Sequence, residues 1–469
     1  MKKAISLKYL TAVGIGALVS VIVVVSLIYF QPLYSPLFNS DNAIWVLMTE
    51  EFVFPDGLYY WGQDRLGSLL PILAHPLTYL GLSGLAAITI VNSLANFATS
   101  FFIGKQSKST LVFLFCLLAL FLPSWNAKTI TAIGHPYLTQ LLLLSALTYV
   151  LSIQSFKYKS ALIALLVSLS VWTSELMIPV YAVFFYYLNR KRGFSILKST
   201  IVFISHATIT GLILLIIKNN VHITRSYRQL FVDLTGLKEN WSSFLAYFDY
   251  YYSSDSLVCV VSALVASLFL LTLISKYTEE SKIWLYMAIS SLVLTLASHW
   301  VNVNGGLPRY FAYPVYLFVF AILIKKPRVS SGRWSHKLIV ITLLISHGWL
   351  SYISTGYIDD THRSTKDRMS RIEAEYFADK LEAGTLIGNY WSVYTCAAFN
   401  EMLTPIPYEP FLTRNRWDRE QLHSDPLFLL TRRSLSPGSE ISLEDFRRVV
   451  VHRIADKGEY TLYKVMKTP

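Results

Sequence analysis

The residues best suited to chemistry fall in one short region. Asn39-Ser-Asp-Asn-Ala-Ile-Trp-Val-Leu-Met-Thr-Glu-Glu-Phe52 and the run Tyr59-Tyr-Trp-Gly-Gln-Asp-Arg-Leu-Gly-Ser68 crowd Asp41, Glu50, Glu51, Asp56, Asp64 and Arg65 together in a chain that is only 15% charged. A carboxylate positioned in such a loop can remove a proton from an acceptor hydroxyl, a role worth roughly 100- to 10,000-fold in rate. Asp41 is the residue placed for it. The same residue types also start helices. Ser40 and Asp41 stand before the segment Asn42 to Phe52, whose Ala43, Ile44, Leu47 and Met48 share one face, so both would serve as caps of a helix lying flat at a membrane surface.

Further candidates are scattered along the chain. Tyr60, Trp61, Asp64 and Arg65 read either as a sugar platform with an arginine reaching a phosphate, or as an interfacial aromatic belt beside a charge pair. His135 and Tyr137 sit in a Gly-His-Pro-Tyr turn preceded by Lys128, where glycine and proline make turns whatever the histidine does. Glu175 lies between apolar runs, where an acid is costly unless partnered or facing a polar cavity; a carboxylate opening a helix is the plainer reading. Arg309, beside Tyr310, stands where a loop re-enters an apolar run, suited to a phosphate or to lipid headgroups. Arg225, Arg228, Lys238, Trp241 and the run Tyr247 to Tyr252 would line an acceptor groove or an aromatic belt.

The elements that must position these residues are apolar. The chain has 469 residues, 54% of them hydrophobic, and a mean hydropathy of +0.45. That composition marks an α-helical polytopic membrane protein. About eleven spans fit the apolar runs, beginning with an uncleaved helix from Thr11 to Phe30. A proline-broken stretch from Gly67 to Leu82 reads as partly inserted, and clean spans follow from Gly84 to Ile103, Thr110 to Leu122 and Tyr137 to Ile153. A short pair fits between Ser160 and Leu188, and others run from Thr200 to Ile217, Leu257 to Ile274, Ile283 to Ser298, Tyr310 to Ile324 and Leu338 to Ser354.

Lysine and arginine cluster in alternate loops, which places the N-terminus inside and both the Gln31 to Leu66 loop and the C-terminus outside. The net charge of +12 is therefore an orientation signal, and nucleic-acid binding is not expected. From about residue 357 the composition becomes mixed and charged, giving two domains: 1–356 in the membrane and 357–469 as a small extracytoplasmic α/β domain. In the latter, Arg368 to Leu381 reads as a helix and Thr385 to Ile387 and Tyr460 to Val465 as strands. Cys116, Cys259 and Cys396 lie far apart, with no disulfide framework or metal spacing, and no phosphate loop, nucleophile elbow or zinc motif is present. No cofactor is expected.

Several of these stretches occur in the order seen in one family. The chain resembles the bacterial polytopic glycosyltransferases of the GT-C fold, through the Asp41 loop, Tyr60-Trp-Gly-Gln-Asp-Arg-Leu-Gly-Ser68, Gly134-His-Pro-Tyr137, Val171-Trp-Thr-Ser-Glu175, Pro308-Arg-Tyr310 and Gly388-Asn-Tyr-Trp391. The resemblance implies inverting transfer of a sugar from a polyprenyl-phosphate donor at the outer face of a bacterial inner membrane. It also implies Asp41 as general base and Arg309, with Arg65 or Lys128, on the donor phosphate. Glu50, Glu51, Tyr60, Trp61, Asp64, His135, Tyr137, Glu175 and Tyr310 would line the substrates. Where many members pair the first acid with a second, this chain has Asn42, so a divalent metal has no visible site unless Glu50 or Glu51 substitutes. Size and C-terminal domain are similar to the O-antigen glucosyltransferases of the phage serotype-conversion kind, implying a glycan or lipid-linked glycan acceptor. A lipid-linked sugar transporter or flippase is the alternative from another class, and an O-antigen polymerase a closer one. Against the transporter stand the absence of an inverted repeat and the concentration of charge in one loop.

Overall fold

The computed structural model describes residues 2–63, 66–153, 158–174, 177–178, 180–182, 185, 196–221, 234–249, 279–324, 330–364, 369–408, 426–432, 435, 440–443 and 446–467. Asp64, Arg65, Glu175, Arg225, Arg228, the side chains of the Tyr247 to Tyr252 run and the expected span 257–274 lie outside them.

The chain divides into two compact units, one gathering Met1–Gln31, Ser93–Leu215 and Arg228–Tyr357, the other Pro32–Asn92, Ile216–Tyr227 and Ile358–Pro469. In chain order the helices are α1 (Lys2–Tyr29), α2 (Ser40–Glu50), α3 (Leu69–Thr78), α4 (Gly84–Ser107), α5 (Thr110–Phe121), α6 (Tyr137–Ser152), α7 (Lys159–Thr173) and α8 (Ile196–Lys218). They continue with α9 (Leu237–Asp249), α10 (Glu279–Leu296), α11 (His299–Val303), α12 (Ala312–Ile324), α13 (Ser330–Ser364), α14 (Arg371–Ala378) and α15 (Tyr390–Ala397). Among the described residues two helical stretches, Ala12–Tyr29 and Gly84–Ser107, are long and apolar enough to cross a membrane, and the other apolar helices are shorter. α3 has ten residues, about 15 Å of helix and half of a bilayer's hydrocarbon core.

In the helical unit, α1 meets α5 through Ile22, Leu117 and Phe121, and α10 meets α12, where the buried Trp284 lies edge-on to Phe320 at 5.6 Å. Hydroxyls inside α4 are satisfied by their own helix: Thr99 Oγ1 donates to Ala95 O and Ser100 Oγ to Asn96 O. Pro123 ends α5, and the freed carbonyl of Leu122 accepts from His347 Nε2 and Ser351 Oγ of α13. One turn on, Ser354 Oγ accepts from the Trp125 N–H at 2.7 Å, which seats the 3-10 turn Trp125–Ile130 against the same helix. Backbone groups freed by a proline and removed from water need such side-chain partners.

The second unit contains a six-stranded sheet built from β1 (Gly384–Gly388), β2 (Leu403–Pro407), β3 (Leu427–Thr431), β4 (Glu440–Leu443), β5 (Phe446–Lys457) and β6 (Tyr460–Lys467). Its order is β2-β1-β3-β6-β5-β4, with β1 parallel to β2 and β3 and the remaining pairs antiparallel. Ile387, Ile406, Leu427, Leu429, Val449, Val451, Tyr463 and Val465 form its core. The helix expected over 368–381 is shorter, because Ser370 and Glu373 form a capping box that starts it at Arg371.

The first loop belongs to this unit. α2 packs on α15 and α3, the rings of Phe38 and Phe399 are 5.1 Å apart, and the buried Arg371 donates to Pro32 O at 2.8 Å while bonding Glu375 at 2.6 Å. α2 is consequently buried from Asn42 to Thr49 around its whole circumference, rather than along the single Ala43, Ile44, Leu47 and Met48 face.

Gly388 joins β1 to α15 where a Cβ would stand 2.5 Å from Leu430 O and 3.0 Å from Val393 Cγ1. A backbone carbonyl cannot step aside. Gly388→Ala is therefore expected to destabilise the unit by about 1–3 kcal/mol, read as a lower apparent Tm and faster proteolysis within 358–469 in the purified protein.

Candidate active site

α2 begins with two amides exchanging hydrogen bonds. The Asn39 side-chain oxygen accepts from the backbone N–H of Asp41 at 2.9 Å and of Asn42 at 3.3 Å, while the Asn42 side-chain oxygen accepts from the Asn39 N–H at 3.1 Å. Asn39 is thus the N-cap, and the helix starts at Ser40, two residues before the expected Asn42. Ser40 and Asp41 do not cap it. Asp41 occupies the second helical position with its carboxylate left over: Oδ1 accepts from the Tyr60 hydroxyl at 3.1 Å, and Oδ2 has no protein partner among the described residues.

Tyr60 reaches Asp41 because the segment from Leu58 to Ser68 folds back on itself. Tyr60 N–H donates to Leu66 O and Gln63 N–H to Tyr60 O, both at 3.0 Å, and Ser68 N–H donates to Leu58 O at 3.1 Å. The turn needs left-handed backbone at Gly62 (φ 70°), which costs glycine nothing, and at Leu66 (φ 63°), which is unusual for a side-chain-bearing residue. Tyr59, Tyr60 and Trp61 are 1–3% exposed, so their rings are packing inside the loop. Lys218, at the end of α8, places its ammonium 5.8 Å from the Tyr59 ring centroid.

The other end of α2 is held as firmly. His75 Nδ1 donates to Thr49 O at 2.7 Å, and Glu50 Oε1 accepts from the Gly84 N–H, at the start of α4, at 3.0 Å. A side chain at position 84 would collide with Glu50, so glycine there admits the carboxyl. Burial pushes Glu50 up to about 7; the Gly84 N–H opposes this, and the nearby Glu401 and Glu51 carboxylates reinforce it. Glu51 is exposed. Among the described residues Ser40 Oγ, Trp45 Nε1, Glu50 Oε2, Trp61 Nε1 and Ser68 Oγ are buried without a hydrogen-bond partner. Such atoms are rare in folded proteins, and a polar ligand would satisfy those in this loop.

The helical unit carries the cationic candidates. The 3-10 turn Pro308–Phe311 packs against the turn Trp125–Ile130, which puts the segments of Arg309 and Lys128 side by side. α9 supports the Arg309 turn: the Phe244 ring packs tilted against Phe311 at 5.4 Å, and Asn240 Nδ2 donates to Leu296 O at 2.9 Å. Arg309 Nη2 donates to the Tyr310 hydroxyl at 3.2 Å with the guanidinium over the same ring, whereas its Nε is buried with no acceptor. A guanidinium N–H withheld from both water and protein suits an anion. Lys128 Nζ stands over the Trp125 ring. His135 and Tyr137 are stacked at 6.0 Å, and Tyr137 continues onto Tyr313 at 6.0 Å. Among the described residues no three His, Cys, Asp or Glu side chains are grouped to hold a metal ion.

No protein-family description and no curated protein matches this sequence. Among solved structures the chain is similar to ArnT from Cupriavidus metallidurans bound to undecaprenyl phosphate, with a TM-score of 0.59 over 97% of each chain at 9% identity. It is also similar to an oligosaccharyltransferase from Archaeoglobus fulgidus in complex with zinc and sulfate, covering 88% of this chain and 67% of that one at 9% identity; the TM-score there, 0.44, is too low to argue from. The first likeness shows the fold: a mostly helical architecture like that of ArnT, with a small sheet domain.

Glu50 makes stability depend on pH. Between about 4.5 and 7 the folded chain keeps a proton on this carboxyl that the unfolded chain has lost, so its contribution is full below 4.5 and disappears as pH rises through 7. The apparent Tm is expected to fall from pH 5 to pH 8, by the equivalent of at most about 3 kcal/mol, and Glu50→Gln is expected to flatten that slope. Thermal unfolding of both proteins across this range checks it.

Proposed function

We propose that this chain is an inverting glycosyltransferase that moves a sugar, a hexose such as glucose, from a polyprenyl-phosphate carrier to an extracytoplasmic acceptor such as O-antigen or another cell-surface glycan. The observation that carries the reading is the Asp41 carboxylate, spared from capping, with one oxygen held by Tyr60 and the other open. The GT-C fold supports it, as does the undecaprenyl phosphate held by ArnT. The alternation of basic loops supports a bacterial inner-membrane location with the N-terminus cytoplasmic and both the first loop and residues 357–469 on the opposite side.

The reaction is a displacement at the anomeric carbon. An acceptor hydroxyl forms the new C–O bond as the bond to the carrier phosphate breaks, Asp41 Oδ2 takes the hydroxyl proton, and polyprenyl phosphate leaves with the electron pair. Attack opposite the leaving group inverts the configuration. Charge grows on the departing phosphate, and a fixed cation is the group that stabilises it. Arg309 has a buried N–H without an acceptor for this task, Lys128 stands on the adjoining turn, and Arg65 belongs to the same assignment from its sequence position. Glu51, Trp61, Asp64, His135, Tyr137, Glu175 and Tyr310 are assigned to the substrates' surroundings on the same footing. No cofactor enters.

The test is sugar transfer by purified protein from polyprenyl-phosphate hexoses to polysaccharide or lipid-linked acceptors, followed by mass spectrometry. Asp41→Asn is expected to lower kcat about 100- to 10,000-fold with the protein still folded, and Arg309→Ala to lower kcat/KM for the donor by a comparable factor. Transfer that survives Asp41→Asn would remove the base assignment while keeping the enzyme class. If wild type consumes no donor across a broad acceptor panel, the glycosyltransferase reading fails and lipid-flipping activity is the next measurement.

A further inference from the structure

We infer that Tyr60 is the positioning residue of Asp41: its hydroxyl clamps Oδ1 and thereby aims Oδ2 at the acceptor hydroxyl. The inference rests on Asp41 being the base. Tyr60 is 2% exposed, so its ring face is closed to a stacking sugar, and a carboxylate only accepts, which makes the phenol the donor in their 3.1 Å bond.

The clamp answers a problem that the cap creates. An aspartate in the first turn of a helix ordinarily turns its carboxylate back onto the free backbone N–H groups there, but Asn39 already accepts from the N–H of Asp41 and of Asn42. Without a second anchor the Asp41 side chain would sample its staggered rotamers at a partly exposed position. Tyr60 supplies that anchor from a rigid support. Its backbone is tied at both N–H and C=O within the Leu58–Ser68 turn, Gly62 makes the reversal possible, and the neighbouring Tyr59 is buried beneath the Lys218 ammonium. A misplacement of the base by about 1 Å costs on the order of 100-fold in rate. The effect of losing the hydroxyl alone therefore belongs in kcat and not in substrate affinity.

Tyr60→Phe keeps the buried ring and removes the donor. In full-length protein assayed with a polyprenyl-phosphate hexose and a glycan acceptor, it is expected to lower kcat about 10- to 100-fold with KM for donor and acceptor unchanged and the apparent Tm preserved. In an Asp41→Asn background the same substitution is expected to add no further loss, because Tyr60 acts through that carboxylate. A raised KM with kcat intact would assign Tyr60 to substrate binding and overturn the proposal, as would a loss of equal size in both backgrounds. A readout independent of turnover is the 19F resonance of 3-fluorotyrosine placed at position 60, expected to shift on Asp41→Asn. An unmoved resonance overturns the clamp even in an active enzyme. A resonance that moves in a chain whose Asp41→Asn variant transfers sugar at the wild-type rate keeps the bond but overturns its role, and shows that the base assignment was what failed.

Discussion

Everything at the Asp41 loop depends on a reciprocal pair of amide hydrogen bonds, Asn39 to the start of α2 and Asn42 back to Asn39. The first turn of a helix has backbone N–H groups with no partner inside the helix, and a short polar side chain must meet them. In Asn39-Ser-Asp-Asn42 all four side chains have that capacity, and replacing a cap costs only about 1 kcal/mol. The choice among them is made by packing. Ala43, Ile44, Trp45, Val46 and Met48 are all within 1% of complete burial, and burying a side chain such as Ile44, Val46 or Met48 is worth roughly 1.5–3 kcal/mol. The fit of α2 against α15 and α3 therefore sets its starting residue, and the cap falls to Asn39. What remains is a carboxylate that caps nothing, with one oxygen bonded to the Tyr60 hydroxyl and the other without a protein partner among the described residues.

That arrangement also explains why a sheet domain lies at the far end of the sequence. α15 crosses from β1 to β2 and presents Tyr390, Val393, Tyr394 and Ala397 as buried residues, while Arg371 ties α14 to the backbone of Pro32. α2 has eleven residues, and a helix of that length is marginal in water by itself. Its rigidity is borrowed from the C-terminal residues of the same compact unit. The single interaction of Arg371 with Pro32 O, made by a guanidinium also bonded to Glu375, fixes the entry of the loop.

How much of this was legible in the sequence follows from the kind of signal each element leaves. α5 and α6 match their apolar runs almost to the residue, because Ser109 caps the first, and Pro136 stands immediately before the second. The Asp41 and Tyr60 stretches stood out as a candidate site because charges are scarce in the apolar part of the chain. Four strands were not. β2 contains Pro405 and Pro407, which read as turn residues; they are tolerated because β2, among the described residues, is an edge strand paired with β1 alone. β5 starts with Val449 and Val451 facing the core, but a register shift between Arg453 and Ala455 puts its later residues out of step with any two-residue alternation. The Asn39 cap was hidden for the opposite reason, since four adjacent residues carried the same signal and tertiary packing decided between them.

The distribution of unmet polar atoms makes the separate case that the loop is more than a well-packed connector. In the sheet the buried Tyr463 hydroxyl meets both the N–H and the C=O of Leu435, and the exposed Arg432 donates to the Tyr460 hydroxyl. Between Ser40 and Ser68 the same protein leaves a serine hydroxyl at each end, two indole N–H groups and a carboxyl oxygen without one. Each such atom costs about 1–3 kcal/mol, and a connector under no other demand would replace them with apolar groups at little loss. Arg309 Nε repeats the pattern in the helical unit, on a turn that α9 is built to hold. Unmet polar atoms in the loop that carries Asp41, and an unmet guanidinium N–H on a turn of the helical unit, suit a polar ligand and an anion respectively.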